Sequence, residues 1–220
     1  MPLVEDGMRV GLGTGATARW FILGVAERVR RGLTIRAVAT SAASAELARE
    51  HGIVVEELGA DGLDLDVDGA DSVDPDLRLI KGKGGAMLRE KIVAASAARF
   101  VVIVDDSKYM SRLRGRVPVE IVPFGSARTV RALAGRTSRD FTMRSSADGE
   151  PFLTDNGNLV ADSDFTDVED PGGLAALIAS VPGVAGHGLF IGMAGLVFVG
   201  HSDGTVEQLS APGDTVAKGG

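Results

Sequence analysis

The first half of the chain alternates short apolar runs with stretches whose apolar residues recur at helical spacing. Runs rich in Val, Ile and Leu predict buried strands, and a period near 3.6 predicts the helices that cover them. We therefore expect an α/β fold with a mainly parallel, Rossmann-like sheet flanked by helices. The predicted strands are Met8–Leu12, Thr34–Ala39, Ile53–Leu58 and Phe100–Val104. One predicted helix ends at Arg30, and two others span Ser41–His51 and Ala86–Ala98.

A strict alternation of leucine or valine with aspartate precedes Asp68. A period of two predicts a strand with one apolar face, which here ends in the motif Asp68-Gly69-Ala70-Asp71. The neighbouring acids are expected to be solvated or to cap turns: Asp64, Asp66, Asp74 and Asp76.

The pattern changes after Pro118 and Pro123. Asn156-Gly157 is typical of a hairpin turn, and we assign it no other role. We expect a smaller α+β domain over 120–195 that makes oligomer contacts, and a larger catalytic domain from 1–119 and 196–220. The elements predicted after the prolines are helices at Ser126–Ala134 and Leu174–Ser180, a strand at Asp140–Arg144, and hairpins at Phe152–Leu159 and 196–209.

The composition of the chain argues against some classes of binding partner. The 220 residues are 45% hydrophobic and 24% charged, with a net charge of −7 and no basic stripe, so nucleic acid and membrane are not expected partners. The chain has no cysteine, and its three histidines are too scattered to predict a metal site. The N-terminus lacks the regions of a signal peptide, and we expect a cytoplasmic protein.

A glycine-rich loop, Gly11–Ala18, lies between a predicted strand and a predicted helix. Free N–H groups at the start of a helix favour an anion, and Thr14 and Thr17 can add hydroxyl groups. No Gly-Lys-Ser/Thr follows, and Ala16 occupies the third position of the dinucleotide fingerprint, so neither nucleotide motif is complete. The alternatives are a phosphate-binding loop and a tight turn without a ligand.

Polar residues then cluster within 68–91. Asp68 and Asp71 follow a strand at the edge where open α/β sheets bind ligands. Lys81 lies in a glycine loop, and Glu90 lies about one turn into the next helix. Each alone has a plain alternative, a capping acid or a solvated surface charge. Together they supply two carboxylates and an ammonium group for moving a proton next to a carbonyl.

These motifs, in this order, resemble those of the type A ribose-5-phosphate isomerase family. The resemblance covers almost the whole chain. It rests on Gly11–Ala18, Asp68–Asp71, Lys81–Ile92, Asp106–Lys108, Pro118–Glu120, Thr154–Asn158, and Pro182–Val184 with His187–Phe190. It implies an aldose-ketose isomerase that converts D-ribose 5-phosphate and D-ribulose 5-phosphate through an enediolate, in the non-oxidative pentose phosphate pathway.

The resemblance places the proton acceptor at Glu90. Lys81 is expected to stabilise the oxyanion, Asp68 to assist ring opening, and Asp71 to orient Lys81 or the sugar hydroxyls. No metal or organic cofactor is implied, and a homodimer or homotetramer is. The implied substrate-binding residues are Thr14, Gly15, Ala16, Thr17, Asp68, Gly69, Ala70, Asp71, Lys81, Gly82, Lys83, Gly84 and Lys108.

The chain departs from the usual family pattern at a few places. Met1–Gly7 stands where a longer N-terminal helix is usual, and Ala16 replaces a serine. Lys83 and Ser72 stand where glycine and glutamate are common. We expect the short Met1–Gly7 segment and Ala16 to weaken substrate affinity or protein stability, and none of the changes to remove the proposed base.

Two classes of rival function share the general fold. A sugar-phosphate-sensing module would bind phosphate without a base and normally carries a DNA-binding domain. Another enzyme, either an amino-sugar-phosphate isomerase or a coenzyme A transferase with a glutamate nucleophile, would release ammonia or form a thioester. The spacing from Asp68 through Lys81 to Glu90 favours the ribose-5-phosphate isomerase.

Overall fold

The structure is a computed structural model, and it describes residues 3–211. In chain order its strands are β1 (Arg9–Leu12), β2 (Arg36–Ala39), β3 (Val54–Val55), β4 (Leu65–Asp68), β5 (Ser72–Val73), β6 (Leu79–Ile80), β7 (Phe100–Asp105), β8 (Gly115–Ile121), β9 (Thr142–Met143), β10 (Leu159–Phe165), β11 (Val184–His187), β12 (Leu189–Phe190), β13 (Leu196–Gly200) and β14 (Val206–Ser210). The helices are α1 (Ala16–Arg30), α2 (Ala42–Glu50), α3 (Met87–Ser96), α4 (Ser126–Thr137) and α5 (Pro171–Ala179), with a short 3-10 helix at Asp106–Lys108.

The largest sheet has seven strands in the order β14-β13-β7-β4-β1-β2-β3. Neighbouring strands are parallel, except that β13 and β14 pair antiparallel. The predicted mainly parallel α/β sheet is therefore confirmed. The last hairpin, β13 and β14, joins this sheet, with β13 beside β7. Residues 212–220 of the predicted larger domain lie outside the described range.

The period of two in β4 separates its apolar and acidic residues onto opposite faces of the sheet. Leu65 and Val67 pack in one core cluster with Phe21 of α1. Asp66 lies on the other face, beside Val93 of α3, and Asp68 shares that face because it is two residues further along. The side that α3 covers is therefore the side on which β4 presents its carboxylates.

The strand order reverses beside β1. The chain builds β1, β2 and β3 in one direction across the sheet and then places β4 and β7 on the other side of β1. Open α/β sheets bind ligands at the carboxyl ends of the strands at such a reversal. The loops that follow β1, β4 and β7 meet at this edge, and they contain Gly13–Gly15, Gly69–Asp71 and Asp106–Lys108.

Within the described residues, two smaller sheets accompany the large one. A four-stranded antiparallel sheet in the order β11-β8-β10-β9 shares a core with α4 and α5, which contribute Leu133 and Ile178. A three-stranded sheet in the order β12-β6-β5 carries Lys81 directly after β6. Strand β8 crosses the expected boundary at 119/120. The division into two domains stays a prediction.

The bounds of some predicted elements change. Helix α5 begins at Pro171 rather than Leu174, because the Asp170 side chain accepts a hydrogen bond from Gly173 N and proline suits the first helical position. The third predicted strand shortens to Val54–Val55. Within residues 3–211, no helix is long and apolar enough to span a membrane.

Candidate active site

Three charged side chains meet at the carboxyl edge of the large sheet. Lys81 Nζ lies 2.9 Å from Asp68 Oδ2 and 3.3 Å from Glu90 Oε2. All three side chains are at least 95% buried. The predicted residues Asp68, Lys81 and Glu90 are thus brought together as one buried cluster with two carboxyl groups and one ammonium group.

Each member of this cluster is positioned by its own element. Asp68 ends β4, and its Oδ1 accepts hydrogen bonds from Thr14 N at 3.0 Å and Gly69 N at 2.7 Å. Lys81 follows β6, and its backbone N–H donates to Gly188 O at 2.8 Å. Glu90 lies on the buried face of α3, three residues after Met87. The cluster is therefore fixed by a strand end, a loop and a helix face.

Burial and the excess of carboxyl groups raise proton affinity at this site. Burial raises the pKa of Glu90 to about 8, Lys81 opposes the rise, and Asp68 adds to it. Burial also raises the pKa of Asp68, against the effect of Lys81. Burial alone would lower the pKa of Lys81, but Asp68 and Glu90 raise it above its usual range. Lys81 is consequently charged, while Glu90 exchanges a proton near neutral pH.

A cavity of about 510 Å³ opens onto the cluster. Twelve of the thirteen predicted substrate-binding residues line it, and Asp68 lies behind them without forming part of its wall. Glu90 and Asp105 also line it. Among residues 3–211, the wall consists of Thr14, Gly15, Ala16, Thr17, Gly69, Ala70, Asp71, Lys81, Gly82, Lys83, Gly84, Glu90, Asp105 and Lys108.

Part of the cavity wall is the N-terminus of α1. The helix begins at Ala16, and its N-cap Gly15 (φ +108°) provides no side-chain hydrogen bond to the first turn. Those N–H groups and the helix dipole favour an anion there. The Thr14 hydroxyl instead contacts hydroxyl groups of the segment 40–44, at 2.7 Å from Thr40 Oγ1 and 2.8 Å from Ser41 Oγ.

The remaining predicted site residues lie around the cavity wall. Asp71 Oδ2 accepts a hydrogen bond from Lys83 N at 3.0 Å, and within residues 3–211 Lys81 forms no ion pair with Asp71. Lys108, in the 3-10 helix after β7, is half-buried at the wall. In the described part of the chain, no group of three or more His, Asp or Glu side chains is arranged to hold a metal ion.

Comparison with known proteins identifies the family. The family model described as "Ribose 5-phosphate isomerase A (phosphoriboisomerase A)" matches residues 36–204, more than half of the chain. The chain belongs to the ribose 5-phosphate isomerase A family.

Relatives in this family match nearly the whole chain. Ribose-5-phosphate isomerase A of a Roseiflexus species is 52% identical over 217 residues, which cover 95% of this chain and 91% of the relative. The Nitrobacter hamburgensis protein of the same name is 47% identical and covers 91% of this chain and 90% of its own. Relatives this similar over nearly the whole chain show that this protein is an isomerase.

Solved structures of ribose 5-phosphate isomerases share the fold. The Plasmodium falciparum enzyme superimposes with a TM-score of 0.90 at 32% identity, and the match covers 94% of this chain and 92% of that one. A second D-ribose-5-phosphate isomerase, solved in complex with phospho-erythronic acid, gives a TM-score of 0.90 at 37% identity, with coverage of 95% and 93%. The fold and the family therefore agree.

The expectation that Asp66 is solvated or caps a turn is wrong. Its side chain is fully buried, and neither carboxyl oxygen has a hydrogen-bond partner within residues 3–211. Burial raises the pKa of Asp66 well above its usual value, and Asp68 adds to the rise. The spacing could have revealed this position, because Asp66 and Asp68 are two residues apart and share a face of β4. Asp74 does cap a turn, but it is fully buried as well.

The turn after Phe152 also does more than close a hairpin, which corrects the interpretation of Asn156. Asn156 Nδ2 donates to Glu120 Oε1 at 3.0 Å, and its Oδ1 accepts from Arg89 Nε at 2.8 Å. Glu120 is fully buried and also accepts from Thr154 and Asn158. The turn thereby joins the four-stranded sheet to the helix that carries Glu90. The hydrogen-bond partners of Asn156 are distant along the chain, so no local sequence pattern indicated them.

Proposed function

We propose that Glu90 carries the proton when this isomerase interconverts D-ribose 5-phosphate and D-ribulose 5-phosphate. The observation that supports it is the buried cluster of Asp68, Lys81 and Glu90, which opens onto a cavity that an uncapped helix N-terminus also lines. That cavity suits a ligand that carries both an anionic group and a reacting carbonyl.

The phosphate is assigned to the loop before α1. The first-turn N–H groups of Ala16 and Thr17 supply donors to it, and the helix dipole favours its charge. Lys108 lies on the same cavity wall and adds a cation. Binding energy from this end holds the sugar carbons beside Glu90. The relative solved with phospho-erythronic acid supports a phosphorylated sugar derivative as ligand.

Proton transfer follows from the position and charge of Glu90. As a carboxylate it removes the C2 proton of the open-chain aldose, and the electron pair forms the C1–C2 double bond of an enediolate. Glu90 then returns the proton to C1, while the O2 hydroxyl loses a proton and O1 gains one. A carboxyl group with a pKa of about 8 is strong enough as a base for this step.

Lys81 and Asp68 are assigned to the charge that develops on the sugar oxygens. Lys81 is charged and lines the cavity, so it stabilises the enediolate oxygen, an effect of ~3 kcal/mol for a well-placed donor. Asp68 does not line the cavity, and its Oδ2 contacts Lys81. We therefore assign Asp68 to holding Lys81 in place, and Asp71 to the sugar hydroxyls or to the loop that contains Lys83.

The predicted homodimer or homotetramer and the cytoplasmic location stay proposals. The family resemblance supports the assembly, and the exposed Phe124 and Trp20 side chains, 92% and 72% accessible, offer apolar surface for it. Sedimentation velocity of the purified protein tests the assembly, and a monomer at micromolar concentration would contradict it.

The test of the reaction is conversion of ribose 5-phosphate to ribulose 5-phosphate in the presence of EDTA, with Glu90→Gln measured beside the wild type. We expect metal-independent turnover in the wild type, and a loss of more than about a thousandfold in the variant with ligand binding retained. Binding without turnover by the wild type would favour a sensor. Ammonia release from an amino sugar phosphate, or a trapped thioester, would favour the rival enzymes.

A further inference from the structure

The loop between Lys81 and α3 forms one wall of the cavity, yet little of it belongs to regular structure. Gly82 and Gly85 have φ values of +99° and +84°, a conformation that glycine adopts readily, and Gly85 N donates to Gly82 O at 2.9 Å. On the inner side, Lys83 N donates to Asp71. Among the described residues the Gly84 N–H has no partner, so it is free to donate to a ligand.

The outer side of this loop is held by Arg144, which directly follows β9 of the four-stranded sheet. Arg144 donates from Nε and Nη2 to the two carboxylate oxygens of Asp162, at 2.7 and 2.6 Å. Its third nitrogen, Nη1, donates to Lys83 O at 2.9 Å and reaches Gly82 O at 3.4 Å. The Asp162 pair fixes the plane of the guanidinium group, which aims Nη1 at the loop carbonyls.

An aromatic ring completes the contact. A Cβ atom on Gly85 would lie 2.5 Å from Phe152 Cε1, so the ring occupies the space that a larger residue would fill. The Arg144 guanidinium lies 5.4 Å from the centroid of the same ring. Arg144, Phe152 and the loop thus pack as one unit, although Arg144 itself is absent from the cavity wall.

We propose that Arg144 is a positioning residue for substrate binding, which holds the Gly82–Gly84 wall of the cavity at the distance the sugar phosphate requires. The inference rests on the proposed function, since it takes the cavity to be the substrate site. Lys81 has its own anchors, Asp68, Glu90 and Gly188 O. Loss of the Arg144 contact should therefore weaken binding more than the chemical step.

The test compares Arg144→Lys with a matched control. Lysine keeps the charge beside Asp162 but cannot supply the guanidinium fork and Nη1 together. The control is Arg116→Lys, which alters an exposed arginine–aspartate pair to Asp164 in the same sheet, with Nε–Oδ1 of 3.3 Å and no contact with the loop. We expect Arg144→Lys to raise KM for ribose 5-phosphate by about tenfold, with kcat changed by less than about threefold. The control should change neither.

Turnover assays separate this inference from the proposed function, together with titration calorimetry of ribose 5-phosphate carried out in the Glu90→Gln background, where the ligand is not converted. An inactive wild type contradicts the function, whereas an unchanged Kd and KM in folded Arg144→Lys contradict the positioning role. An equal loss in kcat and kcat/KM would also contradict it. If Arg144→Lys does not fold, Asp162→Asn decides: it keeps Arg144 but removes the charged carboxylate that fixes the plane of the guanidinium group. A KM within about twofold of wild type in that variant would overturn the proposal.

Discussion

Replacing Glu90 by glutamine should change how the stability of this protein depends on pH. Glu90 is buried and lies 3.3 Å from Lys81, yet burial raises its pKa from 4.5 to about 8. The folded state therefore binds a proton at this side chain between pH 4.5 and 8, where the unfolded state has released it. The stabilisation that this bound proton gives to the folded state is complete below pH 4.5 and is lost as the pH rises through 8.

The magnitude follows from the difference between the two pKa values. The gap between 4.5 and about 8 corresponds to ~5 kcal/mol of unfolding free energy that wild type loses across this range. Glutamine is neutral at every pH, so the variant loses no unfolding free energy at this side chain. Relative to wild type, Glu90→Gln should thus gain stability steadily as the pH rises, with a total change of up to ~5 kcal/mol.

Urea denaturation of both proteins at pH 5, 6, 7 and 8 measures this difference. Glu46→Gln, which alters an exposed glutamate of α2, controls for the loss of one carboxyl group. A difference between Glu90→Gln and wild type that stays constant within ~1 kcal/mol would refute the reasoning that burial controls the proton on Glu90.

Three further predictions test other parts of the structure. Gly13→Ala should destabilise the fold by ~3 kcal/mol in urea denaturation and abolish turnover, because the new Cβ would lie 2.1 Å from Asp68 Oδ1. Normal activity in this variant would contradict the contact. Lys108→Ala should raise KM about tenfold and leave kcat nearly unchanged, and an unaltered KM in steady-state kinetics would exclude Lys108 from phosphate binding. Glu120→Ala should lower the unfolding free energy by ~3 kcal/mol, because three side-chain donors lose their acceptor. Glu120→Gln keeps an oxygen acceptor and should lower the unfolding free energy by about a third as much. Equal losses in the two variants would contradict the role of Oε1.

The sequence was sufficient to predict the parts of the molecule that depend on local periodicity. The alternation before Asp68 indicated β4, and the glycine loops marked the ends of β1 and β6. The family resemblance implied that Thr14 and Lys108 bind substrate, and both line the cavity, because the loops after parallel strands share one edge of the sheet.

Contacts between distant segments carry no such signal. Asn156 looks like a turn residue in sequence, because its bonds to Glu120 and Arg89 join segments 36 and 67 residues away. Arg144 gave no indication of its contact with the Gly82–Gly84 loop for the same reason. Buried polar networks depend on how sheets pack together, and hydrophobic spacing describes only the elements that pack.

The most direct test of the proton transfer follows ribose 5-phosphate by proton NMR in deuterium oxide. With wild-type protein, we predict that solvent deuterium enters the pentose phosphates at C1 or C2 as they interconvert. With Glu90→Gln, ligand binding should persist while isomerisation and deuterium incorporation both stop. If the variant still interconverts the two sugars or exchanges the C2 proton at a rate near that of wild type, another group carries the proton and the assignment of Glu90 is wrong.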